Sequence, residues 1–147
     1  MRNNIRITTR GVIFVGEKLL LIRYRDGEGE FYVCVGGGQN VGESMRENLR
    51  RECREEIGCE VEIGEMLFTR EVRFNNEFDG TEIHQIEHYF ECRLAEGEQL
   101  REGNVPDPMS DGFALVPLDG LKNLRVFPSR LAELIAGGFS ERYICEL

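Results

Sequence analysis

Hydrophobic and polar positions along this chain first follow a period of two. Ile5 to Thr9 and Gly11 to Val15 alternate as strand, and Gly16-Glu17 makes a turn. Lys18 to Tyr24 forms a second strand, rich in Leu and Ile, that ends in Arg23-Tyr24-Arg25. Asp26-Gly27-Glu28-Gly29-Glu30 is a loop by composition. Phe31 to Val35 is nearly all apolar, the pattern of a short strand buried on both faces, and it runs into a glycine-rich loop, Gly36 to Gly42. There the period changes to that of a helix. Ser44 and Glu47 stand in the S-x-x-E relation of a capping box, so the helix should start at Met45. Gly58, after Ile57, can take the left-handed conformation that ends one.

Strand patterns then resume. Glu60 to Arg73 reads as one or two strands with a break or bulge at Gly64. Phe74 to Gly80 is a hairpin loop, and Ile83 to Leu94 the returning strand. Ala95 to Ser110 is polar, with Gly97, Gly103, Pro106 and Pro108, and should form a loop at the rim of a site. Phe113 to Pro117 is a further strand, and Arg130 to Ala136 a short helix closed by Gly137-Gly138. Nothing repeats and no linker divides the chain, which predicts a single α/β domain over residues 1–147.

The helix carries the chain's most unusual pattern. At about 100° per residue, Met45, Leu49, Cys53 and Ile57 form an apolar arc of about 120°. Arg46 intrudes on it, while Glu47, Arg50 and Arg54 turn to solvent. Glu55, Glu52 and Glu56 cluster on one flank, and Glu56 falls inside the arc. Like charges at three- and four-residue spacing repel by about 0.2–0.5 kcal/mol per pair. Beside a core the cost grows, because a desolvated charge needs a partner. A solvated face accounts for Glu47, Arg50 and Arg54 but not for Glu56. A divalent cation taking oxygen ligands would account for all three clustered carboxylates. Geometry alone leaves both readings open.

Composition narrows the setting. At 147 residues the chain can bury a proper core, and no apolar run of membrane-spanning length occurs. Met1-Arg2-Asn3-Asn4-Ile5-Arg6 lacks a signal peptide's apolar segment. Cys34, Cys53, Cys59, Cys92 and Cys145 form an odd set without a CxxC pair, which suits reduced thiols in a cytoplasmic protein better than zinc or disulfides. A net charge of -9 argues against a nucleic-acid polymer as partner. An anionic small molecule would need cations and local arginines.

The stretch from Gly37 to Cys59 resembles the signature of the Nudix hydrolases: Gly, five residues, Glu, seven residues, then Arg-Glu-aliphatic-x-Glu-Glu-x-Gly-aliphatic. Gly37, Glu43 and Arg51-Glu52-Cys53-Arg54-Glu55-Glu56-Ile57-Gly58-Cys59 match every fixed position, with Cys53 and Cys59 as small hydrophobes at the aliphatic sites. Gly11-Val12-Ile13, Lys18 to Arg23 and Val116-Pro117-Leu118 are similar to the family's flanking strands. Val35 replaces a usual proline, Leu115 a frequent tryptophan, and Asn40 a frequent glutamate. The resemblance implies an α/β/α sandwich with a mixed, curved sheet between helices. It also implies Mg²⁺-dependent (or Mn²⁺-dependent) hydrolysis of a nucleoside diphosphate linked to another moiety X, by water attack on phosphorus.

Carried onto this chain, the resemblance makes Glu52, Glu55 and Glu56 metal ligands, with the Gly37 carbonyl as a further one. Glu55 is the first choice of base, and a distant loop is the alternative. Glu43 would hold the loop or an outer water, and Arg51 would orient carboxylates by reaching Glu55 or Glu43. Arg23 is the candidate contact to substrate phosphate. Four residues along a strand put His84 and His88 about 13 Å apart, too far to share a metal, and His88 reads as a satisfied, half-buried side chain. Among Glu87, Glu91, Glu96, Glu98 and Glu102, one could join the site, though each alone reads as solvated. The partner is a small-molecule nucleotide, there is no membrane, and a homodimer stays open. The competing readings are a non-catalytic domain that senses a nucleotide and a structural cation-binding protein.

Overall fold

The computed structural model describes residues 5–76, 79–101 and 110–147. Alternation from Ile5 onward produces one unbroken strand, β1 (Ile5–Val15), which turns at Gly16 into β2 (Lys18–Asp26). The expected loop over 26–30 is a tight turn, because β3 (Gly29–Val33) starts within it and pairs Asp26 with Gly29. The glycines are not loop. Val35–Gly38 form β4, pairing antiparallel with β1 from Gly11↔Val35 to Thr8↔Gly38. The apolar run through Val35 therefore makes two strands, broken at Cys34.

Helix α1 (Met45–Ile57) keeps the predicted ends: the Ser44 hydroxyl accepts from Glu47 N–H at 3.1 Å, and Gly58 is left-handed at φ 63°. Arg46 leaves the apolar arc by lying over the Phe90 ring and donating to the carbonyls of Ile63 and Gly64. β5 (Val61–Asn75) and β6 (Glu82–Leu94) form the long hairpin, with register shifts between Ile63 and Phe68, around the expected Gly64 bulge. β7 (Ser110–Pro117), a 3-10 turn (Leu118–Asn123), β8 (Val126–Phe127), α2 (Leu131–Ala136) and β9 (Tyr143–Glu146) follow.

The strands form a mixed, curled sheet in the order β8-β3-β2-β1-β6-β5-β9, with β4 added to β1 and β7 to β2. β1 meets β2 only at Phe14 and Val15, whereas it runs parallel to β6 from Ile5↔His84 to Ile13↔Cys92. Alternation sends neighbouring residues to opposite cores. Ile13, Leu20, Ile22 and Phe90 pack under α1 with Leu49, Cys53 and Ile57. Val12, Leu19, Leu21 and Tyr89 pack on the other side with Leu131 and Leu134 of α2. This is the α/β/α sandwich expected. No helix among the described residues is long and apolar enough to cross a membrane.

Candidate active site

Arg51 is the hub of the glutamate flank. Its Nε donates to Glu43 Oε2 at 2.7 Å, and its Nη1 to Glu52 Oε1 and Glu55 Oε2, both at 3.1 Å. Nη2 reaches Glu43 Oε1 at 3.1 Å and the Gly38 carbonyl at 3.0 Å. It thus serves both carboxylates offered to it from sequence, and Glu52 besides. The hydrogen bond from Arg51 is the main reason Glu43 titrates below the usual carboxylate range. Glu43 also accepts from Asn40 N–H, so both its oxygens are engaged.

Glu56 behaves differently. Its burial, and Glu52 within hydrogen-bonding reach, push its carboxyl up to about 9, against the opposing pull of Arg10 and the Gly36 main chain. One oxygen, Oε2, is buried with no hydrogen-bond partner among the described residues. Gly37 lies against Glu52: a Cβ built there would sit 2.5 Å from Glu52 Oε1. The structure therefore brings Gly37, Glu43, Arg51, Glu52, Glu55 and Glu56 together. No three acidic, His or Cys side chains among the described residues stand ready to enclose an ion, Glu52 and Glu55 both being turned to Arg51. An open cleft of about 850 Å³ adjoins, lined by Arg6, Ile7, Gly38, Glu43, Arg51 and Glu52 among others.

Arg23 is not gathered here. Along β2 it follows Leu21 to the α2 side, and its Nε is buried without a hydrogen-bond partner among the described residues. His84 and His88 go separate ways, His84 Nε2 to Glu71 at 2.8 Å and His88 Nδ1 to Thr69 at 3.0 Å. Burial lowers the pKa of His88, the half-buried satisfied residue expected.

Glu87 corrects the sequence reading. Far from solvated, it is 3% exposed and accepts from Arg70 (2.7 Å), Tyr89 (3.0 Å), Gln85 (2.8 Å) and Arg10 (3.3 Å). Burial raises its pKa, but Arg10 and Arg70 outweigh that and hold it low. With four donors it is neither a free base nor a free ligand. Glu91 and Glu96 are exposed, Glu98 lies by Cys59 and Arg101, and Glu102 falls outside the described residues. The sequence reading missed two residues. Asn48, fully buried, donates to the Gly38 carbonyl at 3.0 Å and accepts from the Thr9 hydroxyl, tying α1 to β1 and β4. Its helical position, between Glu55 and Glu52, was the available signal. Arg10 signalled itself as a charge inside an otherwise buried strand.

The fold has solved counterparts. A NUDIX hydrolase from Nitrosomonas europaea superimposes with a TM-score of 0.69 at 19% identity, covering 94% of this chain and 91% of that one. An ADP-ribose pyrophosphatase from Streptococcus suis does so with 0.62 at 22% identity, covering 96% and 98%. The sandwich and its acidic helix thus define a protein of the Nudix hydrolase fold. A family model described as NUDIX domain matches residues 5–136, and the chain belongs to that family. Nucleoside triphosphatase NudI of Enterobacter sp. (strain 638) is 37% identical over 84 residues, 52% of this chain and 60% of that protein. NudI of Escherichia fergusonii is 37% identical over 87 residues, 54% and 62%. The chain spans about three-fifths of the length of these curated relatives.

Proposed function

We propose that this chain is a single domain, 1–147, that hydrolyses the diphosphate of a nucleoside diphosphate linked to X, with Mg²⁺ or Mn²⁺, in a cytoplasmic setting. The carrying observation is the Glu52–Glu56 pair, Glu52 against Gly37 and Glu56 with a buried oxygen left without a hydrogen-bond partner among the described residues. Oxygen donors in a space that a Cβ would fill suit a small hard cation. Glu52, Glu55 and Glu56, with the Gly37 carbonyl, would hold it. When bound, such a cation neutralises charge on the diphosphate and makes water a better nucleophile at neutral pH.

The chain's own residues supply the rest. Arg51 holds Glu52 and Glu55 in place and is itself anchored by Glu43, whose engagement with Arg51 and Asn40 fits it for positioning rather than proton transfer. Glu55, the most exposed of the carboxylates on Arg51, is the proposed base, acting from the position in which Arg51 holds it. Nucleoside triphosphates are the substrates we would test first, ahead of ADP-ribose-like sugar nucleotides, a choice supported by the similarity to the nucleoside triphosphatase NudI. A screen of both classes with Mg²⁺ and product identification tests this. Glu55→Gln should fold, keep its Tm and lose turnover. Wild-type turnover by the folded variant removes the base assignment, and saturable binding without product from any nucleotide favours the sensor reading.

A further inference from the structure

The strands β3 and β4 belong to different halves of the sheet, one on β2 and the other on β1, and a single residue, Cys34, makes the crossing. Arg10 stands beside it. Its Nη1 donates to the Cys34 carbonyl at 3.0 Å and to the Gly36 carbonyl at 3.3 Å, on either side of Val35. The crossing has little room to shift, since a Cβ at Gly36 would lie 2.0 Å from the Thr9 carbonyl oxygen. The next residue, Gly37, abuts Glu52. Arg10 is fixed in turn by Glu87, Glu87 by Arg70, and Arg70 by Glu146 at 3.0 Å.

We infer that Arg10 is a positioning residue for the cation and diphosphate site, clamping the Cys34–Gly36 crossing so that Gly36 and Gly37 stay against Glu52 and Glu56, with Glu87 as its buried anchor. This rests on the metal reading above. A guanidinium is needed because one planar group presents separate donors to a carboxylate and to two carbonyls, whereas an ammonium is a single point. Glu87 and Glu146 balance the two arginines of this chain of ion pairs.

Three proteins test it: wild type, Arg10→Lys, which keeps the charge but not the fork, and Glu146→Gln, which loosens only the far end of the ion chain. Mn²⁺ binding by the substrate-free proteins is measured by the paramagnetic resonance of free Mn²⁺, beside Tm and steady-state kinetics. Arg10→Lys should bind Mn²⁺ about tenfold more weakly, the low end of what losing a group that orients metal ligands costs, with a fall in kcat and little change in KM. Glu146→Gln should lose Tm and keep the wild-type Mn²⁺ affinity. If Arg10→Lys does not fold, Glu87→Gln, which removes the charge and replaces one of the two acceptor oxygens with a donor, is expected to show the same loss of affinity. Wild-type affinity in a folded Arg10→Lys or Glu87→Gln overturns the inference alone. A wild type that binds no Mn²⁺ overturns the metal reading, and the inference with it.

Discussion

At Gly37 an added methyl group would meet the Glu52 carboxylate, the free end of a side chain, while at Gly36 it would meet the Thr9 carbonyl, which is backbone. Gly36 also has a φ of 149°, a value that L side chains rarely adopt. Adjacent glycines should therefore fail in different ways. Gly37→Ala is expected to fold with a nearly unchanged Tm and to lose roughly ten- to hundredfold in turnover, because the displaced carboxylate is the one facing Glu56. Gly36→Ala should lose about 2–4 kcal/mol of stability, from backbone strain and overpacking together. Urea titrations beside rate measurements separate the two, and a fully active Gly37→Ala would show that the Glu52 contact has no part in the reaction.

Elements whose signals are local were legible in the sequence, and those decided by distant pairing were not. The cap at Ser44 and the stop at Gly58 lie within α1's own segment, so its limits could be read there. The β5–β6 hairpin likewise announced itself by alternation around a turn. β4 did not, because three glycines have no strand propensity. They are strand only because β1 lies alongside and tolerates no side chain at Gly36. β8 and β9 are short and owe their existence to parallel pairing with β3 and β5. The same limit explains Glu87. The arginines that bury it come from β1 and β5, and no spacing within β6 reveals them. The acidic flank of α1 was legible because all its carboxylates share one helix. Arg51's simultaneous reach to Glu43, Glu52 and Glu55 was legible only in part, since Glu43 arrives from the preceding loop.

Across the whole molecule, two kinds of carboxylate pull stability in opposite directions with pH. Glu43 and Glu87 titrate below their ordinary value of 4.5 in the folded protein, so their contribution is complete above that pH and is lost as acid protonates them. Glu56 titrates above it, so its contribution is complete below 4.5 and drains away as the pH rises towards about 9. Without a divalent cation the protein should therefore be most stable in mild acid. Adding Mn²⁺ should move the optimum to neutral pH. Denaturant melts in chelator and in Mn²⁺ across this range check it, and a chelated protein equally stable at pH 5 and 8 contradicts it. The long parallel seam between β1 and β6 has a kinetic consequence. Helix α1 needs only hydrogen bonds within its own segment, but β1 cannot receive β6 until the chain has run from Ile5 to His84 and beyond. Such non-local closure places refolding on the millisecond-to-second scale. Helical circular dichroism should recover early in a stopped-flow experiment and Mn²⁺ binding late, so a cation site that appears together with the helix would show that the seam is not what the site waits for.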